Sequence, residues 1–109
     1  MKRLIALLVA VAAVAAAIAV PAFAATKTVK VGPATKFGPG RLSVRSGDTV
    51  RFRWTGSLPH NVVITKGPKR GTISKVRTKG TVSKRFNTKG TYTIVCQIHP
   101  GMTLKLTVR

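Results

Sequence analysis

The sequence predicts an all-β protein, a sandwich of two sheets built from about seven to eight strands. Short runs rich in Val, Thr, Ile and aromatic residues recur along the chain, and Gly, Pro, Asn and Ser separate them, which is typical of such sandwiches. Several of these runs alternate apolar and polar residues, as a strand with one buried face does. No segment after residue 24 has the period of an amphipathic helix. Residues 25–109 are therefore expected to form one domain of this class.

The first 24 residues are predicted to be a signal peptide that lies outside the fold. Lys2 and Arg3 give a positively charged start, residues 4–20 are uninterruptedly apolar, and the tripeptide ending at Ala24 has the small-x-small pattern of a cleavage site. We expect cleavage after Ala24 and export to the periplasm, the cell envelope or the extracellular medium. The apolar run is also near the lower limit for spanning a bilayer, so an uncleaved N-terminal anchor is the alternative.

Apolar alternation indicates the strands of the mature domain and their buried faces. The predicted strands are residues 27–31, 41–44, 49–54, 61–65, 81–86, 91–96 and 103–108. The side chains that share an inner face are Val50, Phe52 and Trp54 in the third strand and Leu104, Leu106 and Val108 in the last. We interpret Phe52 and Trp54 as core residues.

Two segments depart from this regular pattern. In residues 81–86, Val82 and Phe86 share their face with Lys84, which indicates an edge strand or a bulge. Residues 66–79 are polar and basic and are interrupted by glycine and proline, so they are predicted to be a long exposed connection.

The predicted mature domain is strongly basic. Eighteen of the 20 Lys and Arg residues lie after residue 24, against the single acid Asp48, for a formal charge of +17. This excess predicts an anionic partner or environment, either an acidic redox protein or an anionic membrane or cell-wall surface. Specific nucleic-acid binding is not expected, because the chain has one Trp, one Tyr and four Phe to stack on bases. The alternative is a uniformly basic, solvated surface on a monomer.

Four side chains that bind metals are predicted to meet at one end of the sandwich. Cys96 ends its strand on the inner face, and the following loop carries His99 and Met102 at successive spacings of three residues. His60 stands at the entrance of an upstream strand, at the same end if the two strands run antiparallel. Two imidazoles, a thiolate and a thioether could then converge on one point.

The softness of these ligands indicates which metal they suit. Two histidines and a cysteine with a weak axial methionine define a blue-copper electron-transfer centre. Zinc fits less well, because structural zinc sites use Cys and His throughout, and haem attachment would need a second cysteine. The alternative is that Cys96 is an inert buried thiol and that the other residues are structural. We expect copper, because one site accounts for the cysteine, both histidines and the only methionine of residues 25–109.

The stretch GTYTIVCQIHPGMTLKLTV at residues 90–108 resembles the C-terminal signature of the cupredoxin family of blue copper proteins. The motif PHN at residues 59–61 resembles the upstream histidine motif of this family. The Cys-x-x-His-x-x-Met spacing is similar to the short amicyanin-type loop of a plastocyanin-like chain. The resemblance implies a Greek-key sandwich, one Cu(I)/Cu(II) ion, and a role for Asn61 in holding the two ligand segments in register. The implied copper ligands are His60, Cys96, His99 and Met102.

The donor set and the resemblance predict a small exported protein that carries single electrons between redox partners and is not an enzyme. Asp48 looks like a turn residue rather than a partner for a Cys–His nucleophile. Two alternatives use the same residues: extracytoplasmic copper sequestration or delivery, and a polyanion or cell-wall binding module with a degenerate copper site. In the electron carrier, His99 would lie nearest the surface. The apolar rim through which the electron would pass is formed by Leu58, Pro59, Pro100 and Gly101.

Overall fold

The computed structural model describes residues 23–109. The predicted signal peptide, residues 1–24, lies outside this range except for Phe23 and Ala24. All regular structure in the described range is strand. Residues 23–109 hold no helix with the length and apolar character needed to cross a membrane.

Nine strands lie within the described residues and form two packed sheets. The first sheet has four strands in the order β2-β1-β4-β7, and the second has five in the order β3-β9-β8-β5-β6. β1 runs parallel to β4 and β3 runs parallel to β9, whereas the other neighbours are antiparallel. This confirms the predicted all-β sandwich. The strands are β1 Thr26–Val31, β2 Phe37–Gly38, β3 Arg41–Val44, β4 Asp48–Trp54, β5 His60–Lys66, β6 Gly71–Arg77, β7 Thr81–Phe86, β8 Gly90–Val95 and β9 Thr103–Val108.

The core between the sheets is built from the inner faces that the alternation predicted. Phe52 and Trp54 of β4 are buried, as are Leu104 and Leu106 of β9. On β8 the buried residue Tyr92 packs edge-on against the ring of Phe86 from β7, with 5.2 Å between the ring centroids. Burial of these large side chains is the main stabilising contribution in a small domain that has no disulfide within the described residues.

The prediction of a long connection at residues 66–79 is wrong, because this segment contains β6. β6 pairs with β5, and the register shifts twice between His60 and Val63. An edge strand with such shifts does not alternate regularly, and Ser74 is its only buried side chain. This lack of an apolar face explains why the sequence pattern missed the strand.

The prediction of an edge position for residues 81–86 is confirmed. β7 is the outer strand of the four-stranded sheet and pairs with β4 from Asp48↔Phe86 to Arg53↔Thr81 without a shift. The two-residue strand β2 was not predicted, since only one of its residues, Phe37, is buried.

The second sheet brings the ends of three strands to one edge of the sandwich. β5 and β8 are antiparallel neighbours with Val63 opposite Val95, so β5 begins where β8 ends. β9 begins at the same end, because Thr103 pairs with Val95. This topology determines which loops surround the candidate site.

Candidate metal centre

Three donor atoms from two separate segments converge at this end of the sandwich. The Nδ1 atoms of His60 and His99 lie 3.1 Å apart. The sulfur of Cys96 lies 3.9 Å from Nδ1 of His60 and 3.5 Å from Nδ1 of His99. The structure thus brings together three of the four residues proposed as ligands from the sequence.

The size of this triangle fits a single small metal ion. Bonds of about 2.0 Å to nitrogen and about 2.3 Å to sulfur place neighbouring donors about 3 to 4 Å apart, and the three separations lie within that range. Two imidazoles and one thiolate are also the in-plane ligands of a blue-copper centre. The residues present therefore fit copper in both spacing and chemistry.

The loop between β8 and β9 is short and closed by its own backbone. The amide of Cys96 donates to the carbonyl of Met102 at 3.1 Å, and the amide of Met102 donates to the carbonyl of His99 at 3.2 Å. Gly101 has a φ of 84°, a left-handed conformation that favours glycine at this turn. Met102 itself is 1% exposed and belongs to the core. The fourth candidate donor is therefore a buried residue of the same loop that carries Cys96 and His99.

His60 is buried at the first position of β5 and is held by the other sheet. The indole Nε1 of Trp54 donates a hydrogen bond to the backbone carbonyl of His60 at 3.1 Å. Gly32 lies behind the ring, since a Cβ built on it would be 3.3 Å from Nε2 of His60. Burial, and secondarily the nearby His99, lower the pKa of His60 below 6.5. The imidazole is accordingly neutral at pH 7, the form that binds metals.

Asn61 connects the two segments that carry the donors. Its side-chain oxygen accepts a hydrogen bond from the backbone amide of Gln97 at 2.7 Å, and its amide group donates to Oε1 of Gln97 at 3.0 Å. Asn61 follows His60 and Gln97 follows Cys96. These two bonds therefore fix the spacing between the segments.

The residues around His99 form an apolar, partly exposed end of the molecule. His99 is half-buried, whereas the other three candidate ligands are buried. Leu58 and Ile98 are 39% and 45% exposed, and the other predicted rim residues Pro59, Pro100 and Gly101 are exposed as well. Sequence reasoning missed Ile98, although its position beside His99 in the ligand loop could have indicated it. It also assigned Trp54 to the core alone and missed its bond to His60.

A family model described as copper-binding proteins of the plastocyanin/azurin family matches residues 24–109. The chain belongs to the plastocyanin/azurin family of copper-binding proteins. The cupredoxin resemblance suggested by the ligand-loop motif is thereby confirmed. For this plastocyanin/azurin family member, copper is the cofactor that both the family and the donor geometry indicate.

Relatives and solved structures agree with membership of the plastocyanin/azurin family. Amicyanin-alpha of Methylorubrum extorquens is 36% identical over 76 residues, which are 67% of this chain and 64% of that protein, so the match spans slightly less than two thirds of that relative. Plastocyanin of Ulva arasakii is 31% identical over 84 residues, 69% of this chain and 86% of that protein. The structure of a reduced amicyanin variant superposes with a TM-score of 0.67 at 29% identity, covering 85% of this chain and 89% of the other.

Proposed function

We propose that residues 25–109 form an exported copper protein that carries single electrons between redox partners. The observation that supports this most directly is the triangle of nitrogen and sulfur donors at one end of a fold whose family binds copper. In this proposal His60, Cys96 and His99 would hold the metal, and the thioether of Met102 would be a weaker fourth donor. Copper, when bound, supplies the one-electron couple between Cu(I) and Cu(II).

The contribution of the protein is to keep the donors in place while the charge of the site changes. The bond from Trp54 to the His60 carbonyl fixes one ligand segment, and the pair Asn61–Gln97 ties it to the other. The two backbone bonds within the ligand loop restrict the position of Cys96 relative to Met102. Side chains held by packing and by supporting hydrogen bonds move little, so both oxidation states would share nearly the same ligand geometry and electron exchange would be fast.

The half-buried His99 is the proposed exit for the electron. It is the candidate ligand closest to solvent, and the loops around it at residues 55–59 and 97–101 contain no Lys, Arg, Asp or Glu. A partner that contacts these two loops would not have to remove water from charged groups, which would be costly. Leu58 and Ile98 supply the exposed apolar surface for that contact.

A group of exposed positive charges lies on the outward face of the four-stranded sheet and would attract an acidic redox partner from a distance. The outward face of the four-stranded sheet carries Thr and Ser between cations and has no acidic side chain. Its exposed cations are Lys30, Arg51, Arg53 and Arg85. Such a field increases encounter rates with anionic proteins.

Addition of Cu(II) to the purified exported protein tests the proposed ligand set. We expect one equivalent of copper to produce an intense blue band, because a short Cu–thiolate bond gives a strong sulfur-to-copper charge-transfer transition. Cys96→Ser should abolish the band, and His99→Ala should weaken or open the site. An exposed substitution remote from the donors, Asn87→Ala, is the matched control and should keep the colour. Uptake of copper without colour, or an unchanged spectrum in Cys96→Ser, would disprove this ligand set.

Electron carriage is distinguished from copper storage by its kinetics. A carrier should show a reversible one-electron wave in voltammetry and rapid self-exchange between its Cu(I) and Cu(II) forms. Slow exchange, together with ready release of copper to an acceptor chelator, would favour the storage or delivery function instead.

A further inference from the structure

Asp48, the only acidic residue in the sequence, is buried although 18 cationic side chains follow residue 24. Both hydrogen bonds that its carboxylate accepts come from backbone amides. The amide of Ala25 donates to Oδ1 at 2.8 Å, and the amide of Arg45 donates to Oδ2 at 2.8 Å. These two bonds, with that from Ala25 the stronger influence, lower the pKa of Asp48 below 3.8. The carboxylate is therefore ionised at neutral pH and directed at the backbone nitrogen of Ala25.

Ala25 is the residue that directly follows the predicted cleavage site at Ala24. Its carbonyl accepts a hydrogen bond from the amide of Thr49 at 2.9 Å. Both the amide and the carbonyl of Ala25 are therefore bonded to the first two residues of β4. Ala24 and Ala25 are both exposed, which leaves the bond between them accessible from solvent. The match to the copper-binding family also begins at residue 24. The peptide bond predicted to be cleaved is thus the one whose nitrogen donates to Asp48.

We propose that Asp48 is the binding site for the α-ammonium group created when a signal peptidase cleaves the chain after Ala24. In that hydrolysis the C–N bond between Ala24 and Ala25 breaks, and water supplies a hydroxyl group to the Ala24 carboxyl carbon and a proton to the Ala25 nitrogen. The amine takes up a further proton from solvent at neutral pH. Its nitrogen is already 2.8 Å from Oδ1 of Asp48. The hydrogen bond from a neutral amide to the carboxylate is thereby replaced by an ion pair in which donor and acceptor are both charged.

The ion pair can form only if the mature protein begins at Ala25. Consecutive Cα atoms are about 3.8 Å apart, so an amine one residue earlier would lie beyond hydrogen-bonding distance if β1 kept its register. The charged side chains around the pair are Lys27 and Arg45, Arg109 at the edge of the same hollow, and Arg85, which donates to the carbonyl of Gly47 at 3.1 Å. All of these are cations, so Asp48 is the only carboxylate side chain that can bind the new amine.

The first test identifies the N-terminus, and the second measures whether Asp48 binds it. Intact mass of the protein exported from cells expressing the full chain should correspond to a start at Ala25. Reaction of its α-amine with an amine-directed reagent at pH 8, followed by peptide mapping, should be about fivefold slower than in Asp48→Asn. Because pH 8 is close to the ordinary pKa of an α-amine, a rise of about one unit in that pKa lowers the neutral, reactive fraction about fivefold. Reactivity of Lys79, which is exposed and lies next to the end of β7 opposite Phe86, the strand partner of Asp48, provides the internal reference.

A second variant keeps Asp48 and displaces the amine, in case Asp48→Asn does not fold. A serine inserted between Ala24 and Ala25 of the full chain leaves an extra residue after cleavage. We expect its amine to react at the unprotected rate and its copper-free form to unfold at a lower temperature than the exported wild-type protein. A start other than Ala25, or equal reaction rates and unfolding temperatures with and without the inserted serine, would overturn the proposal. Neither readout requires copper.

Discussion

Met102 is the candidate ligand whose replacement should change the redox properties without removing the colour. It is a buried residue of the ligand loop, and exchange of Met for Leu conserves volume, so the fold should lose less than about 1.5 kcal/mol of unfolding free energy. Loss of a weak axial donor that favours Cu(II) should raise the reduction potential of a still blue Met102→Leu protein. We expect a rise on the order of 60 mV, the one-electron equivalent of a tenfold change in preference, measured by voltammetry. An unchanged potential would mean that the thioether does not bind the metal.

Asn61 supports the ligands without being one. Asn61→Ala removes both bonds to Gln97 and should reduce copper affinity by about 10–100-fold, the usual effect of losing a group that orients metal ligands. Competition with a chelator of known affinity gives the measurement. Thr91→Ala, an exposed change on β8, is the matched control. Equal copper affinities in Asn61→Ala and Thr91→Ala would show that Asn61 does not support the copper ligands.

At the scale of elements, the turn between β1 and β2 supports His60 from behind. Gly32 has a φ of 99°, and a Cβ there would lie 2.6 Å from the carbonyl oxygen of Thr55, so the backbone must shift. We expect Gly32→Ala to destabilise the copper-free protein by roughly 1–3 kcal/mol and to alter the visible spectrum by moving the His60 ring. Gly40→Ala is the control, because its nearest atom would be 3.9 Å away. Thermal unfolding that is identical in both variants would contradict this prediction.

Asp48, which follows the turn between β3 and β4, should make the free energy of unfolding depend on pH in the acidic range. The pKa of Asp48 is lower in the folded protein than its ordinary value of 3.8, because the amides of Ala25 and Arg45 bond to its ionised form. The stabilisation is therefore present in full above about pH 4 and is lost as the pH falls through the lowered pKa. Unfolding temperatures of wild type and Asp48→Asn, measured without copper from pH 7 to pH 2, should converge at the acidic end. A constant difference would show that the carboxylate charge contributes nothing.

The sequence predicted those strands in which apolar and polar side chains alternate. It did not predict strands that are formed by backbone pairing and lack such a pattern. The inner faces of β4 and β9 followed from period-two alternation, because one face of each is fully buried. β6 has no such face and exists through its irregular pairing with β5. The contact between His60 and His99 depends on strands that are distant in sequence. Residue spacing suggested the loop donors, but only the antiparallel arrangement of β5 and β8 brings His60 to them.

At the scale of the whole molecule, the apolar loops beside His99 and the cationic sheet face are different surfaces. Residues 55–59 and 97–101 carry no charged side chain, although Arg77 lies opposite His60 on β6, whereas the outward face of the four-stranded sheet carries several exposed cations. Arg53 lies between Lys30 and Thr81, and Arg51 lies between Thr28 and Ser83 in the next row. Cations at a distance from the contact surface attract a partner without having to be desolvated in the complex. Recognition and electron exit are therefore expected to respond differently to salt.

Electron transfer to an acidic partner should slow as ionic strength rises, while self-exchange should not. The screening length falls from about 30 Å at 0.01 M to about 8 Å at 0.15 M salt, so the cations on the sheet face attract an approaching acidic partner much more weakly at the higher salt. Because such steering raises association rates by about 10–1,000-fold, we expect at least a tenfold lower bimolecular rate at the higher salt, measured by stopped-flow oxidation of the Cu(I) protein. The rate of electron self-exchange between two equally basic molecules of this protein should instead increase with salt concentration, since screening weakens their repulsion. Replacing Arg51 and Arg53 together with Gln should reduce, but not abolish, the salt dependence, because two of the 18 cations after residue 24 are removed, and it should leave the visible spectrum unchanged. A rate with the acidic partner that is independent of salt in the wild-type protein would show that the positive charge does not guide this encounter.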